Sequence, residues 1–343
     1  MSNNTTEQKK LSDIPFSVLD LATILQGKKA ADTYKNSIDL AQHVERWGFK
    51  RYWLAEHHSM ESIASSATSI LIGHIAGHTS TIRVGAGGIM LPNHAPLVIA
   101  EQFGTLESIY PGRIDLGLGR APGSDQTTMR ALRRNLVEGP NDFPESVVEL
   151  KKYLSAENST AKVRAIPGEG LHIPIWLLGS STYSAQLAAI LGMPFAFASH
   201  FAPTYLQAAL QLYRDNFQPS TDLQTPYALA CINVVAADSD EEANYIATSF
   251  YQLAMGIIHG STKPLRPPVT NMDVIWSEPE KAAILQMMKY TFIGSPKTIK
   301  GKLEQFLSET QVDEIMVTSH IYDHSARIHS YEILSQIWKG KLT

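Results

Sequence analysis

The 343-residue chain has a single cysteine, Cys231, so it can form no internal disulfide. A chain of this size without a disulfide framework fits a reducing compartment, and the cytoplasm is the expectation. Cys231 lies in the apolar run Tyr227 to Ala237, which favours a buried, inert thiol over a nucleophile. Excess charge is also missing. Twenty-nine Lys and Arg against 33 Asp and Glu leave a net charge of −4, with no basic cluster large enough to coat a phosphate backbone, which argues against nucleic acid as the main partner. The apolar stretches Ile166 to Leu178 and Ala188 to Ala198 are broken by Pro, Gly or polar residues well short of the roughly 20 residues needed to cross a bilayer. Met1 to Leu11 is polar, and its Lys9-Lys10 pair is not followed by an apolar segment, so no signal peptide is read there.

Several catalytic signatures are absent as well. No GxxxxGK[ST] phosphate loop, HExxH or GxSxG elbow occurs, which removes the common signatures of ATP, zinc-protease and serine-hydrolase chemistry. Two Gly-rich turns fail the dinucleotide test. Gly85-Ala86-Gly87-Gly88 lacks a third Gly at the right offset, and Gly117-Leu118-Gly119-Arg120-Ala121-Pro122 has Pro where that Gly belongs.

What is present is a 44% hydrophobic composition, enough for one large domain or two ordinary ones, and a regular βα alternation. Strands are expected at Phe16 to Leu19, Tyr52 to Ala55, Ile82 to Gly85, Arg113 to Leu118, Pro174 to Leu178, Phe195 to Ala198, Tyr227 to Ala236 and Glu314 to Thr318. Helices are expected at Thr33 to Trp47, Ser66 to Ala76, Pro96 to Ile109, Glu145 to Leu154, Ser184 to Leu191, Thr204 to Phe217, Asp240 to Met255, Pro296 to Ser308 and His324 to Trp338. Eight strands in βα order, with runs that read as buried parallel strands, favour an α/β fold of the (β/α)8 TIM-barrel type with loop insertions over a doubly wound sheet. The expected organisation is a single barrel domain over residues 1–343, with a polar N-terminal tail at 1–12. An irregular, Met- and Pro-rich insertion at 256–290, most of it Gly256 to Met288, is a candidate lid or dimer contact.

In a parallel barrel the chemistry lies at the C-terminal ends of the strands. After strand two come Glu56, His57 and His58; after strand three Gly85 to Gly88; after strand four Gly119 and Arg120; after strand five Gly179, Ser180 and Ser181; after strand six Ser199 and His200. Each signal has a bland reading beside the functional one. Glu56-His57-His58 is an ordinary polar strand end or a base, proton donor and ring orienter. Gly87-Gly88 lets a strand turn or lets a flat ligand approach the backbone. Arg120 pairs with Asp125 or grips a phosphate by its fork. Gly179-Ser180-Ser181 is a helix cap or a phosphate site. Among twelve histidines, the i, i+4 pairs His74/His78 and His320/His324 have metal-like spacing, but the first lies at a helix C-terminus, away from a barrel mouth, and no metal is expected.

Four ordered segments are similar to a known family: Trp53-Leu54-Ala55-Glu56-His57-His58, Val84 to Pro92 (VGAGGIMLP) continuing as Asn93-His94-Ala95-Pro96, Pro111 to Asp125 (PGRIDLGLGRAPGSD), and Leu178-Gly179-Ser180-Ser181. Together they resemble the bacterial-luciferase-like flavin monooxygenases, specifically the single-chain luciferase-like group. The resemblance implies a barrel that binds reduced FMN as co-substrate, which reacts with O2 to a C4a-peroxyflavin and oxygenates a small organic substrate, an oxidoreductase acting on paired donors with incorporation of molecular oxygen. The reduced flavin would come from a separate NAD(P)H-dependent reductase, in keeping with the missing dinucleotide motif.

Carried over by resemblance, His57 is the catalytic histidine and Glu56 a residue contacting the flavin ring. Gly87 and Gly88 form a non-prolyl cis peptide under the ring. Arg120 holds the phosphate with Ser180, Ser181 and Ser184, and Ser199 is counted with the cofactor-binding residues. A homodimer is the expected assembly. Two departures stand out: Thr23-Ile24 follows strand one where close relatives have a small residue and Pro, and Gly119 replaces a reactive cysteine of the luciferases, so light emission is not implied. The alternatives are an F420-dependent hydride-transfer enzyme of the same barrel family, a non-catalytic flavin-binding protein, and a metal-dependent barrel hydrolase.

Overall fold

The computed structural model describes residues 8–121, 126–132 and 142–342. Its strands β1 (Phe16–Asp20), β2 (Arg51–Leu54), β3 (Arg83–Met90), β4 (Ile114–Gly119), β5 (Ile175–Gly179), β6 (Phe195–Phe197), β7 (Ala228–Ala236) and β9 (Glu314–Thr318) pair in parallel around a closed ring. Pairing of β6 with β7 and of β9 with β1 completes the circle, a (β/α)8 barrel. The helices are α1 (Ala30–Arg46), α2 (Thr68–Gly77), α3 (Pro96–Ile109), α4 (Gln126–Leu132), α5 (Phe143–Leu154), α6 (Thr182–Ile190), α7 (Leu206–Asn216), α8 (Asp240–Ile258), α9 (Glu278–Met287), α10 (Pro296–Thr310) and α11 (His324–Trp338). None of them is long and apolar enough to cross a membrane.

Strand alternation separates two cores. Ala228, Ala230, Ile232, Val234 and Ala236 of β7 face outward into the layer between barrel and helices, with Val18, Val84, Leu116 and Leu177. Leu229 and Cys231 face the lumen with Leu19, Trp53, Trp176, Ala196 and Met316. The Cys231 thiol is sealed there, and burial pushes its pKa well up, as expected of an inert thiol. Below this apolar layer lies an ionic floor. Arg51 bonds Asp115 (2.8 Å) and Glu314 (2.9 Å), Arg83 bonds Asp115 (2.7 Å), and the Trp53 indole donates to Asp115 (3.1 Å). Above it the lumen turns polar again at Asn233 and Thr318, both 1% exposed.

One expectation is corrected. The stretch read as irregular contains α9, opened by a reciprocal capping box between Ser277 and Glu280 with Pro279 in the first turn, and after it β8 (Thr291–Gly294). β8 pairs with the upper half of β7, where the three-residue β6 has already ended. Ser277-Glu278-Pro279-Glu280 is a helix-start signal that the density of prolines obscured. Part of the expected polar tail is also held: Lys9 pairs with Asp313 (2.6 Å) and donates to the Gln311 and Val312 carbonyls, and Leu11 is buried.

Candidate active site at the barrel mouth

Glu56, just beyond β2, is 1% exposed and works as a hub. Its Oε1 accepts from His58 Nε2 (2.8 Å) and His94 Nε2 (2.9 Å), and its Oε2 accepts from the Met90 backbone N–H at the end of β3 (3.1 Å). A carboxylate only accepts, so both imidazoles must donate from Nε2. Burial alone would raise the Glu56 pKa; the bonds from His94, His58 and Met90 outweigh it and hold the carboxyl below its ordinary value. The hub ties the ends of β2 and β3 to the loop before α3. The role of His94 rests on a contact across 38 residues, which its place in a local motif does not show. Glu56, His58 and His94 also have ligand atoms within 4.8 Å of one another, the spacing of a metal site, but separations of 2.8 and 2.9 Å to a shared oxygen are hydrogen-bond geometry.

His57, next in the chain, is half-buried and close enough to His200 to depress that residue's protonation. Gly87–Gly88 is a cis peptide bond. A Cβ on Gly88 would come within 2.8 Å of the Gly117 carbonyl, so strand packing also requires that glycine, while one on Gly87 would press on a terminal methyl of Leu19 (2.8 Å) and on Trp53 (3.1 Å). A Cβ on Gly119 would lie 2.8 Å from the sulfur of Met90, a flexible side chain that can give way.

Two strands along the ring from β2, Arg120 leaves β4 half-buried, with its guanidinium 4.1 Å from the centre of the Tyr183 ring. Tyr183 belongs to the first turn of α6, whose N-cap residue, Ser181, makes no side-chain capping bond. The start of α6 therefore presents backbone N–H groups beside Arg120, Ser180 and Ser181, a donor set suited to a phosphate dianion. Asp125, the alternative partner for Arg120, lies outside the described residues. Two expected residues are not brought to this surface. Ser184 is buried, its side chain against Gly179, where an added Cβ would lie 2.5 Å from it. Ser199 is fully buried and donates to the Cys231 carbonyl (2.6 Å).

The β6–β7–β9 side carries two histidines with a buried ring nitrogen, His200 and His320, to which residue type and spacing assign no role at the mouth. His200 is pushed down to about 3 by burial, with His320 and His57 adding to the effect; His320 is pushed down to about 4 by burial and by Arg327. His320 is 6% exposed and stacks on Phe250 with ring centres 4.6 Å apart. An unfolded histidine titrates near 6.5, so the unfolded chain takes up the proton first. The group costs the fold nothing above that pH, and the penalty grows as pH falls towards 4, to about 3 kcal/mol at 1.36 kcal/mol per pKa unit. His320→Phe keeps the stack and removes the titration. Melting temperatures measured from pH 7 to 4.5 should fall less steeply for the variant, and parallel curves would show that His320 is not responsible.

The luciferase-like monooxygenase family model matches residues 14–314. A luciferase-like monooxygenase of Escherichia coli K12 is 53% identical over 324 residues, 94% of this chain and 97% of that protein. The N-acetyl-S-alkylcysteine monooxygenase of Bacillus subtilis is 30% identical over 328 residues, 94% and 97% of the two chains. Among solved structures, apo-MsnO8 superposes with a TM-score of 0.84 at 31% identity over 95% of this chain and 98% of its own. More distant barrels share the fold alone. The oxygenating constituent of 3,6-diketocamphane monooxygenase, solved with FMN, has a TM-score of 0.71 at 18% identity over 96% and 99% of the two chains. An F420-dependent secondary alcohol dehydrogenase has 0.65 at 13% over 93% and 97%. With four motifs at the strand ends of a closed barrel and a family match across most of its length, the chain belongs to the luciferase-like monooxygenases.

Proposed function

We propose that the protein is an FMN-dependent monooxygenase that takes reduced flavin from a separate NAD(P)H-dependent reductase and uses O2 to oxygenate a small organic substrate. The observation that carries this reading is the pairing of Arg120 with the uncapped start of α6 on one rim and His57 at the end of β2. Arg120, Ser180, Ser181 and the first N–H groups of α6 would hold the phosphate, and the cofactor would supply the electrons that activate O2. His57 can take or give a proton at a ring nitrogen, while the Glu56 hub holds the loop that carries it. The apolar lumen layer beneath the mouth keeps water from entering from below.

Anaerobic titration of the full chain with reduced FMN tests the reading. Saturation in the micromolar range is expected, and no binding below about millimolar would sink it. The F420 alternative separates by its readout: F420 reduction by substrate without O2 consumption. For His57→Ala we expect reduced FMN to bind within about threefold of the parent, while air reoxidation of the bound flavin changes by about tenfold or more. An unchanged reoxidation rate would remove His57 from the chemistry.

A further inference from the structure

Asn233 is a lone polar side chain in an otherwise apolar strand. The alternation that points Leu229 and Cys231 into the lumen also points Asn233 there, one layer higher, at the level of the mouth. Its amide nitrogen is committed: Nδ2 donates to the His200 carbonyl (2.6 Å) and to Thr291 Oγ1 (3.1 Å). A carbonyl can only accept, so this bond fixes which end of the amide is nitrogen and leaves Oδ1 as a defined acceptor. That oxygen is buried and has no partner, in a residue that is 1% exposed. Buried acceptors are rarely left unmet, because burial removes water as the alternative partner.

Other buried polar atoms without a partner gather on the same side. They include His200 Nδ1, beyond β6 on one flank of β7, and His320 Nδ1, beyond β9 on the other. The low pKa values of both rings keep them neutral at physiological pH, so each offers one N–H and one lone pair and no charge. One fixed acceptor flanked by two neutral imidazoles complements a group that presents an N–H next to carbonyl oxygen.

We propose that Asn233 is a ligand-recognition residue whose Oδ1 accepts a hydrogen bond from the N–H of an amide or imide group of a molecule bound in the mouth, with His200 and His320 meeting the adjoining carbonyl. The inference rests on the proposed function, since it needs a cofactor or substrate in that space. Two molecules carry that chemistry, the FMN of the proposed function and an N-acylated substrate of the kind named for the Bacillus subtilis relative. The pyrimidine edge of FMN has an imide N–H between two carbonyls, and an N-acylated substrate has a secondary amide.

Methylation of the ligand's nitrogen separates the two without altering the protein. The full chain is titrated anaerobically with reduced FMN and reduced 3-methyl-FMN. The FMN-loaded protein is then titrated with N-acetyl-S-methylcysteine and its N-methylated form. In at least one pair the methylated ligand should bind about tenfold or more weakly to the parent protein. Asn233→Leu should abolish that preference. A preference in the first pair assigns the site to the flavin edge, and one in the second assigns it to the substrate. FMN binding with no preference in either pair overturns the proposal and leaves the proposed function standing. If FMN does not bind, the proposed function fails, and the acylcysteine pair on the unloaded protein decides the role of Asn233 alone.

Discussion

Asp115→Leu is expected to lower the stability of the barrel by about 3–5 kcal/mol, a large part of the ~5–15 kcal/mol typical of a folded domain. The reason is the low exposure of the group. Asp115 is fully buried and is the shared acceptor for Arg51, Arg83 and the Trp53 indole, which come from β2 and β3. Without its carboxylate, Arg51, whose side chain is 7% exposed, keeps only Glu314 as an anionic partner among the described residues, and a buried cation with half its compensation is costly. Asp115→Asn keeps the shape and one acceptor oxygen and should fall between the two. Urea denaturation reads the effect, with a midpoint shift on the order of 1 M for the leucine variant. Midpoints unchanged in both variants would mean that the ionic floor contributes nothing. Reduced-FMN affinity of the folded asparagine variant should stay close to the parent's, because the floor lies at the far end of the strands from Arg120.

The second large effect is on binding. Arg120→Met should weaken reduced FMN by about 100-fold while leaving the melting temperature within about 2 °C, since the guanidinium is half-buried at the rim and rests on the exposed Tyr183 ring. Riboflavin, which has no phosphate, should bind parent and variant alike. Equal loss for riboflavin would place Arg120 against another part of the ligand, and no loss for FMN would remove the phosphate site from the α6 rim.

Much of the fold was legible along the chain. The helices Pro96–Ile109 and His324–Trp338 have the bounds that capping residues and periodicity indicate, because Pro in a first turn and a clean 3.6-residue pattern are local signals. The eight barrel strands are found where short β-rich runs stood. β8 was missed because its four residues follow a Pro-rich stretch, and it exists only because β6 is short and leaves β7 an unpaired edge. The site divides in the same way. His57 and Arg120 could be placed at strand ends by counting, whereas Ser184 and Ser199 have the right residue type but are turned into the packing. Asn233 did leave a signal, a single amide inside the run Ala228 to Ala236, but nothing in that run shows which end of the amide is occupied.

The sequence by itself determined the βα alternation, the barrel class, the absence of phosphate-loop and dinucleotide motifs, and the residues at the strand ends. All of these follow from short-range periodicity and from residue chemistry within a few positions of one another. Only the tertiary structure decided that Glu56 is a hub joining His58, His94 and Met90, that Arg120 rests on the first turn of α6, and that Asn233 has its nitrogen bound and its oxygen unmet. Those facts join residues dozens of positions apart, and they arise when closure of the ring brings the strand ends together and burial removes water as the alternative partner for each polar group.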